Sequence, residues 1–354
     1  MKMKLKYTAA IGLSMLLAMT MISGCSGNST GQKGAGAAGS EAAQKSDTSQ
    51  NSKSDQTPKA AEKIELKLRS GSTSGSWYPA TAAMAKFLPE DIPGLSVTVT
   101  PGSGPANVQA IQDGVCDMAF GKMPSTMQGM RGEEPFKEVT DQVTYMMYLY
   151  DETFHLVVSA DSGINSVEDL KGKVLTTQTT GNLAEQMMRE LLSVYGMTYD
   201  DLKRVNMVGY DDSVQQMKDG AADAFAFATA VPASVLMDLC SSRDMKILSI
   251  PDDKVEEMMK INDGYMKRTI PAGSYEGQDE EVGSFGGAIH MMARKDLPED
   301  LVYQITKSIF ENVDKLGEAH SVYQGLTPEV MGAPTSIPFH PGTERYLKEI
   351  GVLK

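Results

Sequence analysis

Short strand patterns alternate with helix patterns along this chain after residue 62. Apolar and polar residues alternate over 64–69, and a Gly/Ser loop and a helix pattern over 78–87 follow. A strand pattern over 95–99, a second helix and a short apolar strand over 117–120 complete the order βαβαβ. This order predicts a mainly parallel sheet with helices on both faces. In such sheets, ligands bind beyond the carboxyl ends of the strands.

The same alternation returns after residue 160. Strand patterns over 174–177, 204–208 and 222–227 are each followed by a helix pattern. We therefore predict a second α/β domain over 160–285.

Two similar segments, 155–161 and 290–296, each begin with His and end with Asp. They stand where the chain would pass from one domain to the other, so we predict that they form hinge strands. The first domain then consists of residues 63–159 plus 286–354.

The N-terminal segment has the pattern of an export signal. Lysines precede a short apolar run, and Ile22, Ser23 and Gly24 precede Cys25, which predicts a signal peptide over 1–24. The Ile-Ser-Gly-Cys sequence resembles the lipobox of bacterial lipoproteins, which implies lipidation of Cys25 and an extracytoplasmic protein anchored to the cell membrane. A plain signal peptide with an accidental cysteine is the alternative.

Residues 26–62 contain no Val, Ile, Leu, Phe, Tyr, Trp or Met. Such a composition cannot form a core, so we predict a flexible linker over 25–62. A tether of this kind keeps the folded part near a partner in the membrane.

The charge balance excludes general electrostatic binding of nucleic acid. The chain has 33 Lys and Arg against 46 Asp and Glu, a formal net charge of −13, and its longest basic cluster is Lys267-Arg268. Beyond Cys25, the cysteines Cys116 and Cys240 are interpreted as two separate thiols in the core, with a single disulfide as the alternative.

The sequence lacks the common catalytic motifs. The centre of Gly71–Gly75 is Thr73, so it is not a Gly-x-Ser-x-Gly elbow, and four scattered histidines give no metal spacing. We therefore expect no enzyme activity, no metal and no cofactor. A secreted hydrolase on a similar scaffold is the alternative from a different class.

The stretch Leu68–Pro79, Leu-Arg-Ser-Gly-Ser-Thr-Ser-Gly-Ser-Trp-Tyr-Pro, resembles the opening signature of the TAXI family, the solute receptors of TRAP transporters. Further stretches agree in order, namely Gly102-Ser103-Gly104 with Asn107, Tyr150 with 155–158, 167–173, Asp219-Gly220 with Asp223, 297–302 and 340–342. The resemblance covers the chain from about residue 64 onward.

The resemblance implies an α/β, two-lobed, type II periplasmic-binding-protein-like fold, with two mainly parallel sheets joined by hinge strands. It also implies a monomer that captures a small organic anion, a glutamate-like amino acid or a dicarboxylate, between its lobes and delivers it to a TRAP membrane permease. A substrate-binding lipoprotein of an ATP-driven importer or a sensor is the alternative.

The Gly/Ser loop over 71–78 has the chemistry of a carboxylate site. Its glycines allow close approach of the backbone, its hydroxyl groups donate, and the following helix directs free N–H groups at the loop. An ordinary loop whose hydroxyl groups cap the helix is the alternative. In the second domain, the loop over 177–182 departs from the Gly/Ser-rich pattern of the family.

Together, the pattern and the resemblance predict ligand-binding residues at the carboxyl ends of several strands. They are Gly71, Ser72, Thr73, Ser74, Gly75, Ser76, Trp77, Tyr78, Ser103, Asn107, Lys122, Thr177, Gln178, Thr179, Thr180, Gly181, Asn182 and Thr229. Trp77 and Tyr78 would wall the cleft, or belong to the core. Lys122 would supply the cation for a dicarboxylate, or lie in solvent. Asn107 would contact ligand, or serve only as a helix cap.

Overall fold

The computed structural model of this chain describes residues 63–73 and 75–354. The predicted signal peptide, Cys25, the linker and Ser74 lie outside the described residues. In the described part of the chain, no helix has both the length and the apolar character needed to cross a membrane.

The strands follow the predicted alternation with helices. They are β1 (Ile64–Arg69), β2 (Leu95–Thr100), β3 (Met118–Lys122), β4 (Val143–Ser159), β5 (Val174–Thr177), β6 (Arg204–Met207), β7 (Ala224–Thr229), β8 (Met245–Ile247), β9 (Met266–Ile270) and β10 (Val282–Arg294).

The helices connect these strands and cover the sheet. They are α1 (Trp77–Asp91), α2 (Gly104–Gln112), α3 (Met123–Arg131), α4 (Leu183–Val194), α5 (Tyr210–Lys218), α6 (Ser234–Cys240), α7 (Asp252–Ile261), α8 (Glu299–Glu311), α9 (Val313–Ala319), α10 (Pro328–Met331) and α11 (Pro341–Glu349), with 3₁₀ turns at Glu168–Leu170, Tyr199–Asp201 and Ser321–Tyr323.

The strands form one mixed sheet in the order β2-β1-β3-β10-β4-β7-β5-β6, with β8 beside β4 and β9 beside β10. Strands β1, β2 and β3 are parallel and form the first strand group; β5, β6 and β7 are parallel and form the second strand group. The antiparallel pair β4 and β10 joins the two groups.

The expectation of two separate sheets is therefore corrected. Strand β4 has 17 residues and β10 has 13, so together they connect both strand groups into one sheet, with register shifts in their pairing after Ile289 and after Met291. The chain passes between the groups where Thr153 lies opposite Gly286. The predicted hinge segment 290–296 begins beside the first strand group and away from this point, because β10 pairs with β3 through Ile289–Ala293.

Separate apolar clusters support the two strand groups. Helices α1 and α8 pack on the first group around residues such as Leu68, Phe87 and Ile305. Helix α4 packs on the second group around Leu175 and Leu191. Amphipathic helices cover both groups because each has one apolar face to bury. Cys116 and Cys240 are free thiols, Cys116 buried and Cys240 half-buried.

A buried histidine lies on β4 just after the point where the chain passes between the groups. The His155 Nδ1 lies 2.9 Å from the Thr153 carbonyl oxygen and Nε2 lies 2.8 Å from the Tyr275 hydroxyl group. A carbonyl only accepts, so Nδ1 carries the proton and Nε2 accepts from Tyr275. Burial lowers the pKa of His155 to about 4, which keeps the ring neutral.

Gly286 should be sensitive to any side chain because a Cβ atom there would lie 1.8 Å from the Glu152 carbonyl oxygen. We expect Gly286→Ala to lower the free energy of unfolding by about 1–3 kcal/mol or more, measured by urea denaturation. Gly209→Ala is the control, because a Cβ atom there has no neighbour within 4 Å. Equal losses in both variants would contradict this account of the β4–β10 contact.

Acid should destabilise the protein through His155. Below pH 6.5 the unfolded chain protonates this histidine whereas the folded protein does not until about pH 4, so the free energy of unfolding falls as pH falls across that window. The contribution is at most about 1.4 kcal/mol per pH unit. We expect His155→Phe to flatten the pH dependence in chemical denaturation between pH 7 and 4. Tyr275→Phe, which keeps the imidazole, should retain the slope; an unchanged slope in His155→Phe would contradict the assignment.

Candidate functional site

A cavity of about 140 Å³ lies between the first and the second strand group. Its walls come from the loops after β1 and β2, from β4, from the last residues of β3 and β7, and from the starts of α1, α2, α4 and α5. The described residues that line it are Gly71, Ser72, Gly75, Ser76, Trp77, Gly102, Ser103, Gly104, Lys122, Tyr150, Glu152, Asn182, Leu183, Tyr210, Ala228 and Thr229. The cavity therefore lies at the carboxyl ends of the parallel strands, as the strand order predicts.

Four helices begin at this cavity. The first residues of α1, α2, α4 and α5 are Trp77, Gly104, Leu183 and Tyr210, and all four line it. The first-turn N–H groups of a helix have no partner within the helix and carry a partial positive charge. Each such contact with an anion contributes about 0.3–1 kcal/mol when exposed and up to about 2 kcal/mol when partly buried. The convergence suits an anionic group.

A hydrogen-bonded cluster holds the start of α1 against β4. The Trp77 indole Nε1–H donates to the Tyr150 hydroxyl oxygen over 2.8 Å, and the Ser76 hydroxyl lies 2.8 Å from the same oxygen. The Tyr323 hydroxyl donates to the Ser76 carbonyl oxygen over 3.0 Å. Trp77 is buried and packs against Phe120, so it is both a core residue and a cavity wall.

Lys122, at the end of β3, forms an ion pair with Glu152 of β4. The side chains are only 12% and 3% exposed. Burial raises the pKa of Glu152, and the neighbouring charge of Lys122 opposes that rise. Lys122 does line the cavity as predicted, but its charge is already balanced. Whether Lys122 also meets an anionic group of a ligand stays a prediction.

Half of the predicted site residues come together at the cavity. They are Gly71, Ser72, Gly75, Ser76, Trp77, Ser103, Lys122, Asn182 and Thr229. Whether they contact a ligand stays a prediction.

Asn107 has a structural position instead. It is fully buried, and its side-chain amide donates to the Ser70 and Phe120 carbonyl oxygens over 2.8 and 2.9 Å. These bonds tie the ends of β1 and β3 to α2. Gly102 makes room for this amide, because a Cβ atom there would lie 2.0 Å from the Asn107 Oδ1.

The loop over 177–182 reaches the cavity only through its last residue. Thr177 is buried and donates to the Ala226 carbonyl oxygen over 3.0 Å, and Gln178 is buried as well. The Thr180 hydroxyl is exposed and lies 3.0 Å from the Met207 sulfur. Asn182 caps α4, accepting the Ala184 N–H over 2.9 Å.

Seven predicted residues therefore lie outside the cavity in addition to Asn107, Gly181 among them. The full set is Thr73, Tyr78, Thr177, Gln178, Thr179, Thr180 and Gly181. The common reason is that a strand–loop–helix pattern locates the loop but not the direction of each side chain.

Sequence reasoning missed several residues that line the cavity. They are Gly102, Gly104, Tyr150, Glu152, Leu183, Tyr210 and Ala228. Glu152 had a visible signal, because it is an acidic residue inside a long apolar strand. In the part of the chain that the structure describes, no group of three or more His, Cys, Asp or Glu residues could hold a metal ion.

Tyr150 should stabilise the site through its hydroxyl group. Tyr150→Phe removes the acceptor of the buried Trp77 indole N–H, so we expect the free energy of unfolding to fall by about 1–3 kcal/mol. Tyr303→Phe is the control, since its hydroxyl donates to Glu349 at the surface. Urea denaturation measures the free energy of unfolding of both variants. Equal decreases would show that the bond to Trp77 is worth no more than a surface hydrogen bond.

Comparisons with known proteins agree with this architecture. The model of the NMT1-like family matches residues 68–351. The arginine-binding extracellular protein ArtP of Bacillus subtilis is 30% identical over 149 residues, which cover 40% of this chain and 55% of that protein. The match thus spans about half the length of this relative.

The solved structure of a phosphonate-binding protein shows the same fold. PhnD1 from Prochlorococcus marinus in complex with methylphosphonate has a TM-score of 0.54 at 13% identity, covering 82% of this chain and 99% of that one. An ancestral arginine-binding protein bound to arginine has a TM-score of 0.45 at 19% identity, covering 74% and 98%. The predicted α/β periplasmic-binding-protein-like fold is confirmed. Because the family model matches most of its length, the chain belongs to the NMT1-like family.

Proposed function

We propose that this protein is an extracytoplasmic solute-binding protein that captures a small organic solute with an anionic group and delivers it to a membrane transporter. The observation that carries this proposal is the convergence of four helix N-termini on one cavity between the strand groups. Free N–H groups bind a carboxylate, phosphonate or sulfonate oxygen without any base from a side chain. These donors act at short range, so a chain with a net charge of −13 can still bind an anionic group.

The two strand groups act in this proposal as lobes that close on the solute. We keep the lobes predicted from the sequence, 63–159 plus 286–354 and 160–285, except that residues 154–158 pair with β7 and therefore belong with the second lobe. The contact of Thr153 with Gly286 on β4 and β10 is the natural place for rotation, since the ladder passes there from one group to the other. Ser72 and Ser103 on one side would then approach Asn182 on the other.

The membrane partner is proposed to be an ATP-driven importer. Binding of arginine and of methylphosphonate by the relatives supports this alternative better than the TRAP permease that the resemblance to the TAXI family implies. Lipidation of Cys25 would anchor the protein outside the membrane and the linker would keep it near the transporter. Reconstitution with the candidate permease distinguishes the two: uptake that requires ATP supports the importer, and uptake that requires only an ion gradient supports TRAP.

A thermal-shift screen tests the binding function directly. The panel contains amino acids, their keto acids, dicarboxylates, methylphosphonate and alkanesulfonates. A ligand at about 100 times its Kd adds about 2.7 kcal/mol to the free energy of unfolding, so a clear rise in Tm is expected for at least one member. A product formed from a bound compound would contradict the non-enzymatic proposal, as would the absence of any shift.

Two threonines provide a matched test of the cavity. Thr229→Val should lower the affinity for the tightest-binding compound of the screen by about 3-fold to 10-fold. The reason is that a hydrogen bond from a hydroxyl group in the cavity contributes about 0.5–1.5 kcal/mol to the binding free energy. Thr180→Val should leave the affinity unchanged, since Thr180 lies outside this cavity. Isothermal titration measures both; an effect confined to Thr180→Val would place the ligand elsewhere.

A further inference from the structure

One of the two carboxylate oxygens of Glu152 has a partner and the other has none among the described residues. Its Oε1 faces the Lys122 ammonium group, whereas its Oε2 is buried and has no hydrogen-bond partner among the described residues. An unpaired buried carboxylate oxygen is costly because it has lost water without a replacement. The residue lines the cavity, so a ligand can supply the missing donor.

The charges around the cavity balance. Lys122 is the single base and Glu152 the single acid among the described residues that line it. A dicarboxylate would bring two negative charges to a pair that is already neutral, and one of them would face Glu152 without a cation. A ligand that carries one positive and one negative group keeps the balance and offers a donor to Glu152.

We propose that the ligand is a zwitterion of the α-amino acid type whose ammonium group donates to Glu152 Oε2 while its carboxylate takes the helix N-termini and Lys122. This inference rests on the proposed binding function and makes Glu152 the residue that selects for an ammonium group. The tyrosine hydroxyls nearby are already engaged: that of Tyr150 accepts from Trp77, and that of Tyr210 donates to the Ala228 carbonyl oxygen over 3.2 Å. Among the described residues that line the cavity, Glu152 Oε2 is therefore the carboxylate oxygen that has no partner.

Pairs of compounds that differ at the amino group test the proposal. The probes are L-alanine and pyruvate, L-glutamate and 2-oxoglutarate, and L-leucine and 4-methyl-2-oxopentanoate, with methylphosphonate as a further anion. In isothermal titration of the wild-type protein, we expect at least one amino acid to bind 10-fold or more tightly than its keto acid, the size of a hydrogen bond to a charged group.

Glu152→Gln should then reverse the preference. The variant loses the negative charge that faces the ammonium group and leaves Lys122 without its counter-ion, so the amino acid should bind at least 10-fold more weakly and the keto acid more tightly. A variant that merely folds poorly would lose both ligands. Glu185→Gln is the matched control, because Glu185 is also buried and ion-paired, with Arg189, but lies outside this cavity. It should keep the wild-type preference.

The outcomes separate this inference from the proposed function. Tight binding of keto acids or methylphosphonate in preference to every amino acid would overturn the zwitterion while leaving a solute-binding protein. An amino-acid preference that survives in Glu152→Gln would overturn the role of Glu152. Absence of binding by every probe would count against both proposals.

Discussion

The antiparallel contact between β4 and β10 determines the arrangement of the rest of the molecule. These two strands are the longest in the described part of the chain, and they turn two parallel strand groups into one continuous ladder. Where they pass between the groups, Gly286 lies so close to the Glu152 backbone that no side chain fits. Backbone hydrogen bonds at this contact hold the two groups with their strand ends facing one cavity.

That arrangement explains how an acidic protein can offer a site for an anionic group. Parallel strands deliver their following helices to the same edge, so several helix N-termini point at one small volume. The field of fixed backbone N–H groups acts at short range, where the distant surface carboxylates are screened by salt. The net charge of the chain therefore says little about the charge that its cavity accepts.

The sequence predicts the strands and helices well, and the directions of individual side chains less well. In β1 and β2 burial repeats every second residue, whereas β3, β5 and β7 are buried on both faces and stand out as short apolar runs between helix patterns. Both kinds of pattern locate the loops at the cavity. The sequence pattern does not encode which strands pair, so it does not predict one continuous sheet. Asn107 and Thr177 look like ligand contacts in a polar loop, yet both bond to buried carbonyl groups of neighbouring strands. Their direction is set by tertiary contacts that local pattern does not contain.

Glu152 shows how a departure from pattern carries information about function. A buried ion pair rarely stabilises a fold more than apolar residues of similar size would, because both charges lose their water. The stability of the fold therefore does not explain why Lys122 and Glu152 line the cavity. The free-energy cost of burying the pair is higher still when one carboxylate oxygen has no hydrogen-bond partner, as at Glu152 Oε2. A solute that donates a hydrogen bond to this oxygen removes the cost on binding. The unpaired oxygen therefore lowers the stability of the ligand-free protein and raises its affinity for a ligand with such a donor.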